Sequence, residues 1–284
     1  MRKLLLGLTL VVIMGGCSSS RKSAATFTNE KALDVSYGSF PSSKMDVYLP
    51  AGRSKESPFV VLIHGGGWIK GDKRENRGAQ QIFMDHGIAS INLNYRFADS
   101  ISIHYPEMIA DIDSAIDYCI AHAKAWNTRK NNFVMMGASA GGHLSLLYGY
   151  TTNKKVNAIV GQCAPTDFTD TATINYEIRI GLLPIIEAMA GAKYIPGEAL
   201  PPEFAASSPI YHVKNIPTLL IHGTGDQIVP FAQAEELYKK LLAENIPAEL
   251  IPIPGANHDM NMKDKATVDM VFKEIVAWVL KYGK

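Results

Sequence analysis

Three cysteines in 284 residues are too few to staple a disulfide scaffold. They also show no Cys/His spacing that would bind zinc. No charge of one sign dominates. There are 28 Lys and Arg against 27 Asp and Glu, a net charge of +1, which excludes nucleic acid or a strongly acidic polymer as the natural partner. After residue 14 no apolar run approaches the ~20 residues of a membrane-spanning helix. Internal repeats and low-complexity tracts are missing too, which excludes a solenoid. What remains is a chain with 47% hydrophobic residues, enough to bury the core of one large domain. Cys119 and Cys163 both lie in apolar surroundings and read as buried free thiols.

The first residues have a different character. Arg2 and Lys3 precede an apolar stretch over residues 4–14, then Gly15, Gly16, Cys17 and three serines. A basic start, an apolar middle and small residues describe a secretory signal rather than part of a fold. The cysteine directly after the small residues resembles the signal of a bacterial lipoprotein. That resemblance implies cleavage before Cys17, lipidation of Cys17, and anchoring in a membrane of the cell envelope. The plainer reading is an ordinary signal peptide with a cysteine by chance. The expected organisation is a signal over residues 1–17, a flexible tether over 18–30, and a folded domain over 31–284.

Within that domain strands and helices alternate. Short apolar or alternating runs predict strands over 33–37, 45–49, 59–63, 88–93, 132–137, 156–160, 218–222 and 249–253. Helical spacing predicts helices over 75–86, 106–125, 140–150, 231–244 and 266–280. Such βαβ alternation implies an α/β fold, a mostly parallel eight-stranded sheet with helices on both faces. Ligands then bind beyond the carboxyl ends of the strands. Residues 169–208 break the rhythm with scattered prolines and no strand. They read as a small helical cap inserted over the site, the alternative being a surface excursion.

Three strand ends carry chemistry. Gly137-Ala138-Ser139-Ala140-Gly141 fits G-x-S-x-G between a strand and a helix. A nucleophilic serine needs that sharp turn so that its oxygen leaves the sheet, and small neighbours because the flanking segments crowd it. His64-Gly65-Gly66-Gly67-Trp68 follows another strand. Acyl transfer develops an oxyanion, and glycines allow backbone N–H groups to point at it. Gly66 and Gly67 are the expected donors there, with Ala140 after the serine. His64 is expected to anchor the loop. Chain order then selects Asp226, on the glycine-bracketed turn after residues 218–222, and His258, after residues 249–253. His212 and His222 precede Asp226 and so fall outside the order. Serine attack, with His258 as base and Asp226 orienting it, calls for no metal and no organic cofactor. Trp68 and Phe168 are candidate substrate contacts.

Together these motifs resemble the α/β-hydrolase superfamily over roughly residues 33–282. The nearest branches are the hormone-sensitive-lipase-like and feruloyl-esterase-like bacterial esterases. His64 to Trp68 resembles their HGGGW motif, Gly137 to His143 their nucleophile elbow, residues 221–230 their acid turn, and Gly255 to His258 their histidine loop. Ala138 stands where the hormone-sensitive-lipase group usually carries an acidic residue, which favours the feruloyl-esterase-like branch. The resemblance implies a serine carboxylic-ester hydrolase for short-chain, acetyl or aryl esters, some of them on polysaccharide. Two rivals keep the same fold: an arylformamidase-type amide hydrolase, and a binding protein without catalysis.

Overall fold

A computed structural model describes residues 27–284. The expected signal, Cys17 and tether residues 18–26 lie outside the described residues.

Eight strands make one sheet: β1 Glu30–Ser36, β2 Lys44–Leu49, β3 Phe59–Ile63, β4 Ala89–Leu93, β5 Phe133–Ala138, β6 Val156–Gln162, β7 Thr218–Gly223 and β8 Ala248–Ile253. Their order across the sheet is β1-β2-β4-β3-β5-β6-β7-β8. β2 runs antiparallel to both β1 and β4, and the remaining pairs are parallel. Parallel neighbours need crossovers, and helices supply them on both faces. The helices are α1 Arg77–Asp85, α2 Tyr105–Trp126, α3 Ala140–Thr151, α4 Thr171–Arg179, α5 Leu183–Ala190, α6 Pro202–Ala206, α7 Ala232–Ala243 and α8 Lys265–Tyr282.

β3 shows how the layers form. All five of its residues are buried, but alternate ones face opposite ways. Phe59, Val61 and Ile63 belong to one buried cluster with Met108 and Ile112 of α2, Leu144 of α3 and Leu237 of α7. Val60 and Leu62 pack with Phe83 of α1 and with Ile275 and Val279 of α8. Each such side chain contributes roughly 1.5–3 kcal/mol by leaving water. The expected eight-stranded, mostly parallel sheet between two helical layers is therefore the architecture that forms.

The chain ahead of α1 differs in detail from the expected helix over 75–86. Asp72 accepts a bond from the Arg74 amide, and Glu75 reaches back to the Asp72 amide. This reciprocal cap starts a short 3-10 turn, Lys73–Asn76, before α1 takes over. Residues 27–30 depart from the expectation of a free tether. The carbonyls of Phe27 and Thr28 accept bonds from the Gly52 amide and the Arg53 guanidinium, and Glu30 pairs with Arg53 at 2.5 Å.

The cap expected over 169–208 is present as α4, α5 and α6. Asp170 caps α4 by accepting from the Thr173 amide at 2.7 Å. Several side-chain ties hold the cap to the body. The His104 ring donates to the Ala188 carbonyl at 2.8 Å. Gln233 of α7 binds Thr173 Oγ1 and the Asp167 carbonyl. The Tyr176 hydroxyl donates to the Gln227 carbonyl at 2.6 Å, which fastens α4 to the turn carrying Asp226.

Candidate active site

Ser139 sits between the end of β5 and the start of α3, with φ +54 and ψ −124. A non-glycine residue is strained there by about 1–3 kcal/mol, held by its surroundings. Those surroundings are visible. The Ser139 amide donates to the Gln162 carbonyl at 2.7 Å, and its own carbonyl accepts from the His143 amide at 2.9 Å. The turn is also crowded. A Cβ at Gly141 would lie 2.1 Å from the Ile63 carbonyl oxygen, so only glycine lets α3 start this close to β3.

Three side chains from three strand ends then form one chain of hydrogen bonds. Ser139 Oγ lies 2.8 Å from His258 Nε2, and His258 Nδ1 lies 2.7 Å from Asp226 Oδ2. The carboxylate accepts at Nδ1, so Nδ1 carries the ring proton and Nε2 is free to take another. Asp226 is itself fully engaged. Its Oδ1 accepts from the amides of Ile228 and Val229 at 2.8 and 3.0 Å, and its Oδ2 also faces His222 Nε2 at 3.1 Å. Burial alone would raise its pKa. The bonds from His222, His258 and the Ile228 amide more than offset this and hold it well below the usual carboxylate range.

His222 was set aside by chain order and takes a different part. Its Nε2 lies 2.9 Å from the Val229 carbonyl as well, which fixes that nitrogen as the donor. It therefore steadies the same carboxylate oxygen, Oδ2, that His258 binds. Cys163 completes this buried group, with the ligating atoms of Cys163, His222 and Asp226 all within 4.8 Å of one another. Burial pushes the Cys163 thiol up to about 12, so it stays protonated. His222 Nε2 and both carboxylate oxygens are occupied by hydrogen bonds, so the trio reads as support for Asp226 rather than a metal cradle.

The glycine loop lies across from Ser139. The Gly66 carbonyl accepts from the amides of Ile69 and Lys70 at 3.3 and 3.2 Å, which folds the loop into a turn. The N–H groups of Gly66, Gly67 and Ala140 have no acceptor among the described residues. His64 anchors the loop as expected. Its ring donates to the Gly65 carbonyl at 2.7 Å and stacks on Tyr95 at 4.5 Å. Trp68 is held from below, its indole N–H donating to His143 Nδ1 at 3.0 Å. His143 Nε2 in turn donates to the Ser207 carbonyl at 2.7 Å. Burial pushes His143 down to about 4 and keeps it neutral, as that pattern of donor and acceptor requires.

Gly66, Gly67, Trp68, Ser139, Phe168 and His258 all line one cavity of about 380 Å³. Ala140 follows Ser139 directly, as the first residue of α3. The structure thus brings every candidate residue within the described range to one place. The cap supplies the far wall through Leu182, Ile185 and Ile186, and contributes one carboxyl, Glu177, that the sequence patterns did not single out.

Comparison with known proteins places this arrangement. Esterase LipC of Mycobacterium tuberculosis is 28% identical over 253 residues, covering 82% of this chain and 60% of LipC. The chain therefore spans less than two thirds of that relative. A truncated carbohydrate esterase from gut microbiota superposes with a TM-score of 0.70 at 22% identity, covering 91% of this chain and 98% of the other. A bifunctional GH43-CE protein of Bacteroides eggerthii gives 0.71 at 23% identity, over 89% of this chain and 35% of its own. Likenesses at that identity establish the fold, the α/β-hydrolase architecture. Residues 45–241 match the BD-FAE family, more than half of the chain, and the chain belongs to that family.

Proposed function

We propose that this protein is a serine ester hydrolase working through an acyl-enzyme. The reading rests above all on the chain Ser139 Oγ, His258 Nε2, His258 Nδ1, Asp226 Oδ2, with links of 2.8 and 2.7 Å, opening into a cavity beside unpaired N–H groups. Ser139 Oγ attacks the ester carbonyl carbon as His258 Nε2 takes its proton. The carbonyl oxygen gains negative charge and meets the N–H groups of Gly66, Gly67 and Ala140. The positive end of α3 adds to that field. Asp226 keeps the imidazole in its tautomer and balances the imidazolium charge. His258 then protonates the leaving alcohol oxygen, and water repeats the two steps on the acyl-enzyme.

The substrate class follows from the walls. Trp68, Phe168, Leu182, Ile185, Ile186, Ile228 and Val229 make the cavity largely apolar. Its volume suits an acetyl, short-chain or aryl acyl group rather than a long lipid chain. The named carbohydrate esterase among the structural neighbours supports esters carried on polysaccharide. Fluorophosphonate labelling and p-nitrophenyl acetate turnover test the reaction. Wild type labels at one serine, and Ser139→Ala folds, does not label and loses nearly all turnover. Wild-type turnover in Ser139→Ala would sink the assignment.

The N-terminal pattern of Arg2, Lys3, residues 4–14 and Cys17 supports export and lipid anchoring in the cell envelope. Cys17→Ser then moves the protein from the membrane fraction to the soluble one. Unchanged membrane association in that variant would refute the anchor.

A further inference from the structure

Glu177 lies in the cap on α4 and lines the cavity that holds Ser139 and His258. It is only 6% exposed, and its Oε2 is shut off from solvent without a hydrogen-bond partner. No cation pairs with it among the described residues. Burial alone pushes its pKa up to about 7. A carboxyl placed so is costly to keep, because nothing on the protein replaces the water it gave up.

The helix had a cheaper alternative. Ile174 faces the core, and Ile178, one helical turn on, is the apolar residue expected to follow it inward. Instead Ile178 is 38% exposed and Glu177 is buried. The ties from Tyr176 to the Gln227 carbonyl and from Gln233 to Thr173 Oγ1 hold α4 in that rotation. The remaining lining of the cavity is mostly apolar, so Glu177 is the outstanding hydrogen-bond acceptor on the cap side of the site.

We propose that Glu177 is a specificity-determining residue that accepts a hydrogen bond from a hydroxyl group of the ester substrate. The cavity thereby favours hydroxylated esters, sugar or phenolic, over hydrocarbon esters of the same shape. An apolar pocket gains little from choosing between two hydrocarbons. One that buries an acceptor penalises every ligand that leaves it unpaired. The substrate class rests on the ester-hydrolase reading above, while the role of Glu177 in binding does not depend on turnover.

The test uses two matched pairs: methyl 4-hydroxycinnamate against methyl cinnamate, and a 6-O-acetyl glucoside against cyclohexylmethyl acetate. Wild type should prefer the hydroxylated member of at least one pair by about 10- to 100-fold in kcat/KM, the range for a hydrogen bond to a charged or partly charged acceptor. Glu177→Leu should bring that ratio near unity, and Glu177→Gln, which keeps a carbonyl acceptor, should restore part of it. Thermal melts confirm that both variants are folded. Binding to Ser139→Ala and to its Glu177→Leu double variant, read by quenching of tryptophan fluorescence, supplies the same comparison without catalysis. If no ester is turned over, the hydrolase reading fails and the binding arm still decides the role of Glu177. Equal affinity and rate within both pairs in wild type, or a preference that survives in Glu177→Leu, overturns the proposal.

Discussion

Two neighbouring glycines in the oxyanion loop should respond to the same substitution in opposite ways. Gly66 has φ +111, and a Cβ there would lie 2.1 Å from the Lys70 carbonyl oxygen. That carbonyl belongs to the turn closed by the Ile69 and Lys70 amides on the Gly66 carbonyl. Gly66→Ala must therefore open the turn by about an ångström or more, and the N–H groups of Gly66 and Gly67 swing with it. Loss of one aligned oxyanion donor costs about 10²–10³ in kcat, or about 2.7–4 kcal/mol. Gly67 has φ +58, and a Cβ there would meet only Ile185 Cγ2, at 3.6 Å. Gly67→Ala pays the left-handed penalty of about 1–2 kcal/mol in stability but leaves the turn in place. The assay is kcat on p-nitrophenyl butyrate alongside the urea unfolding midpoint. Gly66→Ala should lose rate far beyond its loss of stability, and Gly67→Ala chiefly stability. Wild-type kcat in Gly66→Ala, or an equal collapse of kcat in Gly67→Ala, would refute the placement of the oxyanion donors.

His222→Phe removes a donor from the Asp226 carboxylate and should destabilise the fold by about 1.5–3 kcal/mol while lowering kcat, whereas His222→Gln, which can still donate, should recover part of both; identical kinetics in the two variants would deny the positioning role. Two buried groups should also give opposite pH slopes of stability. His143 is pushed down to about 4 from an ordinary 6.5, so the unfolded chain protonates first and its contribution is lost as pH falls from 6.5 toward 4. Glu177 is pushed up to about 7 from 4.5, so its contribution is complete below 4.5 and lost as pH rises through 7. Relative to wild type, His143→Gln should therefore lose stability with rising pH and Glu177→Gln should gain it, each by at most about 3 kcal/mol in urea midpoints taken across that window. Parallel profiles for wild type and both variants would refute the assigned burial of these groups.

The central strands were legible because both of their faces are covered. A strand such as β3 must then be apolar at every position, and Phe59 to Ile63 reads so without alternation. The edge was harder. β1 begins at Glu30, three residues before its expected start, and nearly all of it is exposed. Its place comes from pairing with β2, with an irregular register between Ala32 and Val35, and an exposed pairing leaves no apolar pattern to read. The nucleophile and the glycine loop were legible for another reason. Positive φ at Gly66 and close approach at Gly141 are demands that few residue types can meet, so the sequence is forced to declare them.

Glu177 and His222 declared nothing, because their surroundings are set by distant contacts. Periodicity on α4 favours Ile178 as an inward residue, while the ties from Tyr176 to the acid turn and from Gln233 to Thr173 hold the helix with Glu177 inward instead. His222 ends a buried strand and looks like one more core position until the turn folds its ring back onto Asp226. The difference tracks what each residue does. In the proposed reaction, bond cleavage depends on strand ends whose order the topology dictates, so Ser139, Asp226 and His258 follow from chain order. The proposed selection among esters depends on how a cap is oriented over those ends, and that orientation is a tertiary result. A cap substitution that leaves Ser139, Asp226 and His258 untouched, such as Tyr176→Phe, should accordingly disturb the choice between hydroxylated and hydrocarbon esters more than the rate of the chemical step.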